Sequence, residues 1–321
     1  MPTGLVVGIA FYFALSVFAV VVLAVVTAAG DRLDLFEEYL DTPDLETTNV
    51  WFLGISLVLV AFMLPSIMFG RFVGGPRPGD LWSVQGRLRW RWLGVCSLLA
   101  AVVYAAVIVG SLLVDGVGDI TVDGDAVLAI VVVLATVPLQ ATAEEAVFRG
   151  QIMQMVATWT RFAIIPVVLS TVLFVSGHTY DWWGLTDVGI FGLTAAYLAI
   201  RTGGLEASIA AHAANNIVLM CAEAVGAFST SVESDYGPID LLPTVVASAL
   251  MIAGVEIGMR VMGIERTRER LDDPPTRAQR KAMRRIPPPP VPIAPWPPPP
   301  PGAWTPPGSS FPSPPPREPN P

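Results

Sequence analysis

Eight apolar runs, most of them near twenty residues long, constrain this chain more than any other feature. An α-helix rises 1.5 Å per residue, so about 20 apolar residues cross a hydrocarbon core of about 30 Å. The runs are Leu5 to Ala29, then 51–70, 93–114, 126–157, 162–179, 188–200, 205–227 and 242–262. In lipid each backbone polar group needs an internal partner, and an apolar run of this length satisfies that as a helix. Composition agrees. Only 14% of the 321 residues are charged, against roughly 25% in a soluble domain, so much of the surface faces lipid. The sequence therefore predicts an all-α fold: a polytopic membrane protein of about eight transmembrane helices around a polar cavity. The first run lacks the Lys/Arg-rich start of a cleaved signal and reads as a retained span. The 188–200 run is short, and a re-entrant piece is the alternative there.

The loops set the expected orientation. Asp31, Asp34, Glu37, Glu38, Asp41, Asp44 and Glu46 face a single Arg32 in the loop 31–50. The next loop carries Arg71, Arg77, Arg87, Arg89 and Arg91 against Asp80 alone, whereas 115–125 holds four Asp and no basic residue. Arg161 and Arg201 mark later turns, 229–240 is acidic again, and a basic segment from Arg266 to Arg285 follows the last run. Lys and Arg stay on the cytoplasmic side. The expectation is a multi-pass protein of the cell membrane with both termini cytoplasmic, which needs an even number of spans.

Four regions follow from this pass: 1–125 with three spans, 126–227 as the core, 228–286 with the last span and a basic segment, and 287–321 as a tail. The tail is mostly proline and cannot bury enough apolar surface to fold, so it reads as disordered or polyproline II. A cytoplasmic partner docking on it is conceivable chemistry. Trp82 to Trp92 alternates Trp with Arg and reads as an interfacial anchor. The net charge of −8 argues against nucleic-acid binding. Cys96 and Cys221 sit in apolar runs with no C-x-x-C pairing, which speaks for buried thiols rather than a disulfide or thiolate zinc site.

Ionisable side chains inside a span cost about 2.5–3.5 kcal/mol each on insertion scales, so they mark functional sites by default. Three clusters lie in the apolar runs: Glu144-Glu145 with Arg149, Phe174 with His178, and His212 with Asn216. These are the chain's only two histidines. Adjacent helical residues point about 100° apart, so Glu144 and Glu145 are not expected on one face. Glu145 and Arg149 stand at i,i+4 in the favoured order for an ion pair, which leaves Glu144 free to look into the bundle. His212 and Asn216, also i,i+4, project together, and Phe174 can pack beneath His178. Such a set suits hydrolysis by an activated water: Glu144 as base, His178 orienting the water or relaying the proton, His212 and Asn216 donating to the oxyanion. For Glu144 to meet His178, the helix must run on to about residue 158 with Glu144 near mid-depth, and Pro138 allows a kink on the way.

In that order, E-E-x-x-x-R (Glu144, Glu145, Arg149), F-x-x-x-H (Phe174, His178) and H-x-x-x-N (His212, Asn216) resemble the CPBP family. It comprises the CAAX prenyl endopeptidases of the Ras-converting type and the bacteriocin-processing proteins. The likeness covers about 126–227 and neither the first three spans nor the tail. It implies an intramembrane endopeptidase acting on a peptide or membrane-protein substrate. Glu144 matches the family's catalytic glutamate, His178 its water-activating histidine, and His212 with Asn216 its oxyanion pair. The family has often been described as metalloproteases. Two histidines and a carboxylate can in principle hold zinc, but there is no H-E-x-x-H helix, so the favoured reading has no metal and no cofactor. Two other classes compete. A proton-coupled transporter uses similar Glu/His sets, but no repeat or paired broken helices are evident. A non-enzymatic scaffold recruiting partners through the tail leaves four intact polar residues unexplained.

Overall fold

A computed structural model describes residues 2–29, 50–74, 76–227 and 237–267, and all of the regular structure in them is helical. The loop 31–49, residues 229–236, the basic segment 268–285 and the proline tail, on which the sequence reading placed charge and disorder, lie outside the described residues.

Helix α1 (Pro2–Ala29) leaves Phe13, Val17 and Phe18 exposed, as a lipid-facing surface does. It crosses α3 (Met63–Gly74) at small residues. A Cβ on Gly8 would stand 3.0 Å from the Ser66 carbonyl oxygen, and one on Gly70 would run into the Gly4 carbonyl. Such close backbone approach is how membrane helices pack without a hydrophobic driving force between them. α2 (Val50–Ala61) leads almost directly into α3 and lies along the helix Gly124–Glu145.

α4 spans Trp90–Asp115 and α5 spans Gly124–Glu145. Asp123 caps α5 by accepting from the Ala126 N–H at 2.9 Å, satisfying one of the donors a helix start leaves open. The helix does not stop at Glu145. It widens into a π-helical segment, Ala146–Ile152, and returns to α geometry in α6, Met153–Ala157. The predicted continuity to about residue 158 holds; the π segment was not foreseen. Then come α7 (Ile164–Val175), α8 (Trp182–Thr202), α9 (Glu206–Ala224) and α10 (Leu242–Met262).

Among the described residues, five stretches are long and apolar enough to cross a membrane: Gly54–Gly74, Trp90–Val114, Gly124–Ala157, Trp182–Thr202 and Pro238–Met262. The sequence reading counted about eight. The short 188–200 run belongs to one of these five. Asp181 caps α8 by accepting from Gly184 N–H at 2.8 Å, and Gly203 ends it at φ +63°. Trp182, Trp183, Thr186 and Asp187 interrupt the apolar pattern but not the helix. α9 differs from all five. Every residue from Glu206 to His212 is buried, and the helix packs against α4, α5 and α8. A helix walled in by others carries polar residues that a lipid-facing one excludes.

One end of the bundle is closed by a clamp. The segment before α4 pairs with the α8–α9 turn: Leu205 N–H donates to the Trp82 carbonyl at 2.9 Å and Val84 N–H to Gly203 at 2.9 Å. Arg89 then reaches Glu206 through its backbone N–H (2.8 Å), Nε (2.9 Å) and Nη2 (2.6 Å), and its Nη1 caps the carbonyls of Thr202 and Glu265. The Trp/Arg stretch thus divides. Trp90, Arg87 and Arg91 are exposed, as an interfacial anchor requires, whereas Trp92 and Arg89 turn into the core. Cys96 is buried beside Trp92, and both described cysteines are free thiols.

Candidate active site

The site is built where α5 and its π segment meet α7, α8 and α9. Arg149, on the π segment, is wholly buried and donates to Glu145 Oε1 at 2.8 Å and to the Gly192 carbonyl of α8 at 3.0 Å. Its guanidinium carbon also lies 4.4 Å above the Phe174 ring, a cation–π contact. The expected i,i+4 pair is therefore present, and it ties three helices together.

The π geometry has visible supports. In a π turn the N–H of residue i+5 reaches back to carbonyl i, and Met153 N–H bonds Phe148 O in that way. Phe148 O also accepts the Ser170 hydroxyl at 2.8 Å. From the other flank Arg71 donates to Gln151 at 2.7 Å and Gln154 at 3.1 Å. Gly150 faces Leu81 so closely that a Cβ would come within 2.6 Å of that side chain.

His212 sits between the two glutamates. Its Nδ1 lies 3.0 Å from Glu145 Oε1 and its Nε2 3.6 Å from Glu144 Oε2. The expectation that helical spacing separates the adjacent acids needs correction here, since both carboxylates reach the same imidazole. A ring with nitrogens at two edges accepts one carboxylate at each. Nor is Glu144 free, as expected: its Oε1 accepts from Gln140 Nε2 at 2.6 Å. Its other oxygen, Oε2, is buried without a hydrogen-bond partner.

Chemistry fixes several proton positions. Glu145 Oε1 only accepts when ionised, so His212 Nδ1 carries a hydrogen. His178 Nδ1 lies 3.0 Å from the Phe174 carbonyl oxygen, so it too carries a hydrogen, and in the neutral ring Nε2 is the acceptor. Phe174 packs edge-on to both imidazoles, with ring centroids 4.9 Å from His178 and 5.8 Å from His212. The packing of Phe174 under His178 is as the spacing suggested. Asn216 Nδ2 is 3.4 Å from Gln140 Oε1, and Asn215 Nδ2 is 3.2 Å from Asn216 Oδ1.

Sequence reasoning singled out seven residues here and missed Gln140. The signal was available: a glutamine in an apolar run, four residues before Glu144, is its neighbour on the helix surface. Ser170 and Arg71 gave no such signal, because their partners lie 22 and 80 residues away.

Fold and site together define a helical, multi-pass membrane protein in which buried Glu145, Arg149 and His212 stand beside half-buried Glu144, His178 and Asn216. Residues 126–218 match the family described as type II CAAX prenyl endopeptidase, Rce1-like. The family resemblance carried by the three motifs is borne out over that segment. A curated relative, the uncharacterized protein YyaK of Bacillus subtilis (strain 168), is 34% identical over 120 residues, covering 35% of this chain. The match spans 38% of that relative's own length. No solved structure matches the chain.

Proposed function

We propose that this protein is an intramembrane endopeptidase in which Glu144 activates water to hydrolyse a peptide bond. One observation carries the reading. Glu144 Oε2 is a buried carboxylate oxygen without a partner, 3.6 Å from His212 Nε2, while Oε1 is held by Gln140. An unpaired buried acceptor is costly unless something else fills it, and a water's O–H is the natural occupant.

The chemistry then runs through the side chains of this site. The water gives its proton to Glu144 Oε2 as its oxygen attacks the carbonyl carbon. His178 Nε2 accepts a hydrogen bond from the water's second O–H, which stays on the attacking oxygen, and so orients it. The oxyanion that forms takes hydrogen bonds from Asn216 and from the Nε2 edge of His212, whose ring is oriented by Glu145 at Nδ1. Collapse of the tetrahedral intermediate returns the proton from Glu144 to the leaving amine.

A metal-free mechanism is part of the proposal. Both imidazoles spend Nδ1 on hydrogen bonds, and the His212 Nε2 edge faces a carboxylate oxygen at 3.6 Å. Among the described residues no group of three or more His, Cys, Asp or Glu is arranged to hold a metal ion. A zinc-ligating imidazole makes the same kind of Nδ1 hydrogen bond, so the metal-free reading rests on the position of Glu144 Oε2 rather than on the histidines. Stoichiometric zinc in the purified protein, read by elemental analysis, would contradict this.

The substrate class follows from the family description: a peptide ending in a prenylated CAAX sequence is the first to try. The test is cleavage of that fluorogenic peptide, with and without the prenyl group, by protein in proteoliposomes. Wild type should cleave, and Glu144→Ala and His178→Ala should not. Undiminished cleavage by either variant would sink the assignment. Comparing membrane proteomes of cells carrying wild type and Glu144→Ala would identify the natural target.

A further inference from the structure

Gln140 is buried in α5, on the turn before Glu144, and lies outside the three motifs. Its amide has two ends and both are used. One faces Glu144 Oε1 at 2.6 Å and the other faces Asn216 at 3.4 Å. The assignment of the ends is forced. A carboxylate only accepts, so the NH2 end must face Glu144, and the carbonyl end is left for Asn216. Asn216 must then present its own NH2 to Gln140, which leaves its oxygen for the Asn215 amide at 3.2 Å. The outcome is a chain running one way: Asn215 to Asn216 to Gln140 to Glu144. In such a chain each bond polarises the next.

We propose that Gln140 is the positioning residue that couples the base to the oxyanion site. It acts in two directions. By occupying Oε1 it leaves Oε2 as the one oxygen of Glu144 that faces His212 and the water. By taking one hydrogen of the Asn216 amide it turns the second hydrogen away from α5, where an oxyanion can receive it. The same side chain thus sets which atom removes the proton and which donor meets the charge. The inference rests on the mechanism proposed above for the site, and its test separates the two.

Gln140→Leu keeps the volume and removes both hydrogen bonds. In proteoliposomes with the prenylated CAAX peptide, kcat should fall about 10- to 100-fold, the loss of one or two charge-assisted bonds. KM should stay within about twofold. A residue that only fills space would leave kcat unchanged, and that result overturns the proposal. Gln140→Glu supplies the conservative check. It can bond Glu144 only while the pair shares one proton, so its activity should recover at acid pH and fall as pH rises. Activity equally low at every pH in both variants would count against the coupling. Thermal unfolding of each variant in detergent identifies a folding defect.

A substrate-free readout keeps the test independent of protease activity. The Glu144 carboxylate stretch, assigned from the infrared difference between wild type and Glu144→Gln, should shift when Gln140→Leu removes its amide donor. An unmoved band overturns the proposal even if the peptide is never cleaved. If Glu144→Gln is inactive while Gln140→Leu matches wild type, the protease reading stands and this inference falls.

Discussion

Among the described residues, two buried arginine–glutamate pairs are finished differently. At the clamp, Glu206 receives three donors from Arg89, and Arg89 Nη1 donates to the carbonyls of Thr202 and Glu265. Each nitrogen and oxygen atom of the two side chains has a partner. At the site, Glu145 shares one oxygen between Arg149 and His212, Arg149 Nε is buried without a partner, and the neighbouring Glu144 keeps an unpartnered oxygen. Complete satisfaction fits a joint that holds helices. Incomplete satisfaction in a protein interior costs stability and fits a place meant to receive something else. The same two residue types therefore carry opposite meanings, and the leftover atoms distinguish them.

That contrast can be broken by mutation. The largest effect should come from Glu144→Gln, which removes the base and should lower cleavage by about 10²–10⁴-fold with little change in melting temperature. Cleavage that persists, or a large fall in melting temperature, would erase the distinction. Next, Arg89→Met strands the Glu206 carboxylate and should cost about 3–5 kcal/mol of stability, read by unfolding in detergent. Activity per folded molecule should survive it. If Arg89→Met removed activity at full stability, the clamp would not be a joint. Arg149→Lys keeps a charge but lacks the planar fork that serves both Glu145 and Gly192. It should cost about 1.5–3 kcal/mol and show in both assays, because this residue belongs to both worlds. Smallest is Ser170→Ala, which withdraws one hydrogen bond from the π segment and should cost about 0.5–1.5 kcal/mol; a neutral melting temperature would show that the π turn holds without it.

How much of this could be read from the sequence depends on the range of each interaction. The pairs at i,i+4, Glu145 with Arg149 and Phe174 with His178, were visible because a helix makes them neighbours. The Arg89–Glu206 clamp was not, since its members are 117 residues apart and Arg89 looks like one more interfacial arginine. The apolar-run criterion also misjudged α8 at its start and α9 in its character. It measures lipid exposure, and α9 from Glu206 to His212 sees only other helices. The shared imidazole was missed for a further reason: helical angles describe where a side chain leaves the backbone, not where a long carboxylate arm ends.

The π segment has one last consequence, for the counting of residues. Ahead of it, the phase of the long helix is set by Glu144 and Glu145 against His212; behind it, Met153 packs with Leu205 and Ile209. A single-residue deletion within Ala146–Ile152 would restore ordinary α pitch and rotate one half against the other by about 100°. No side chain on the list of functional residues need be touched for that. Beyond the buried Ala146, Arg149, Gly150 and Gln151, it is the number of residues in this stretch, rather than their identity, that is fixed.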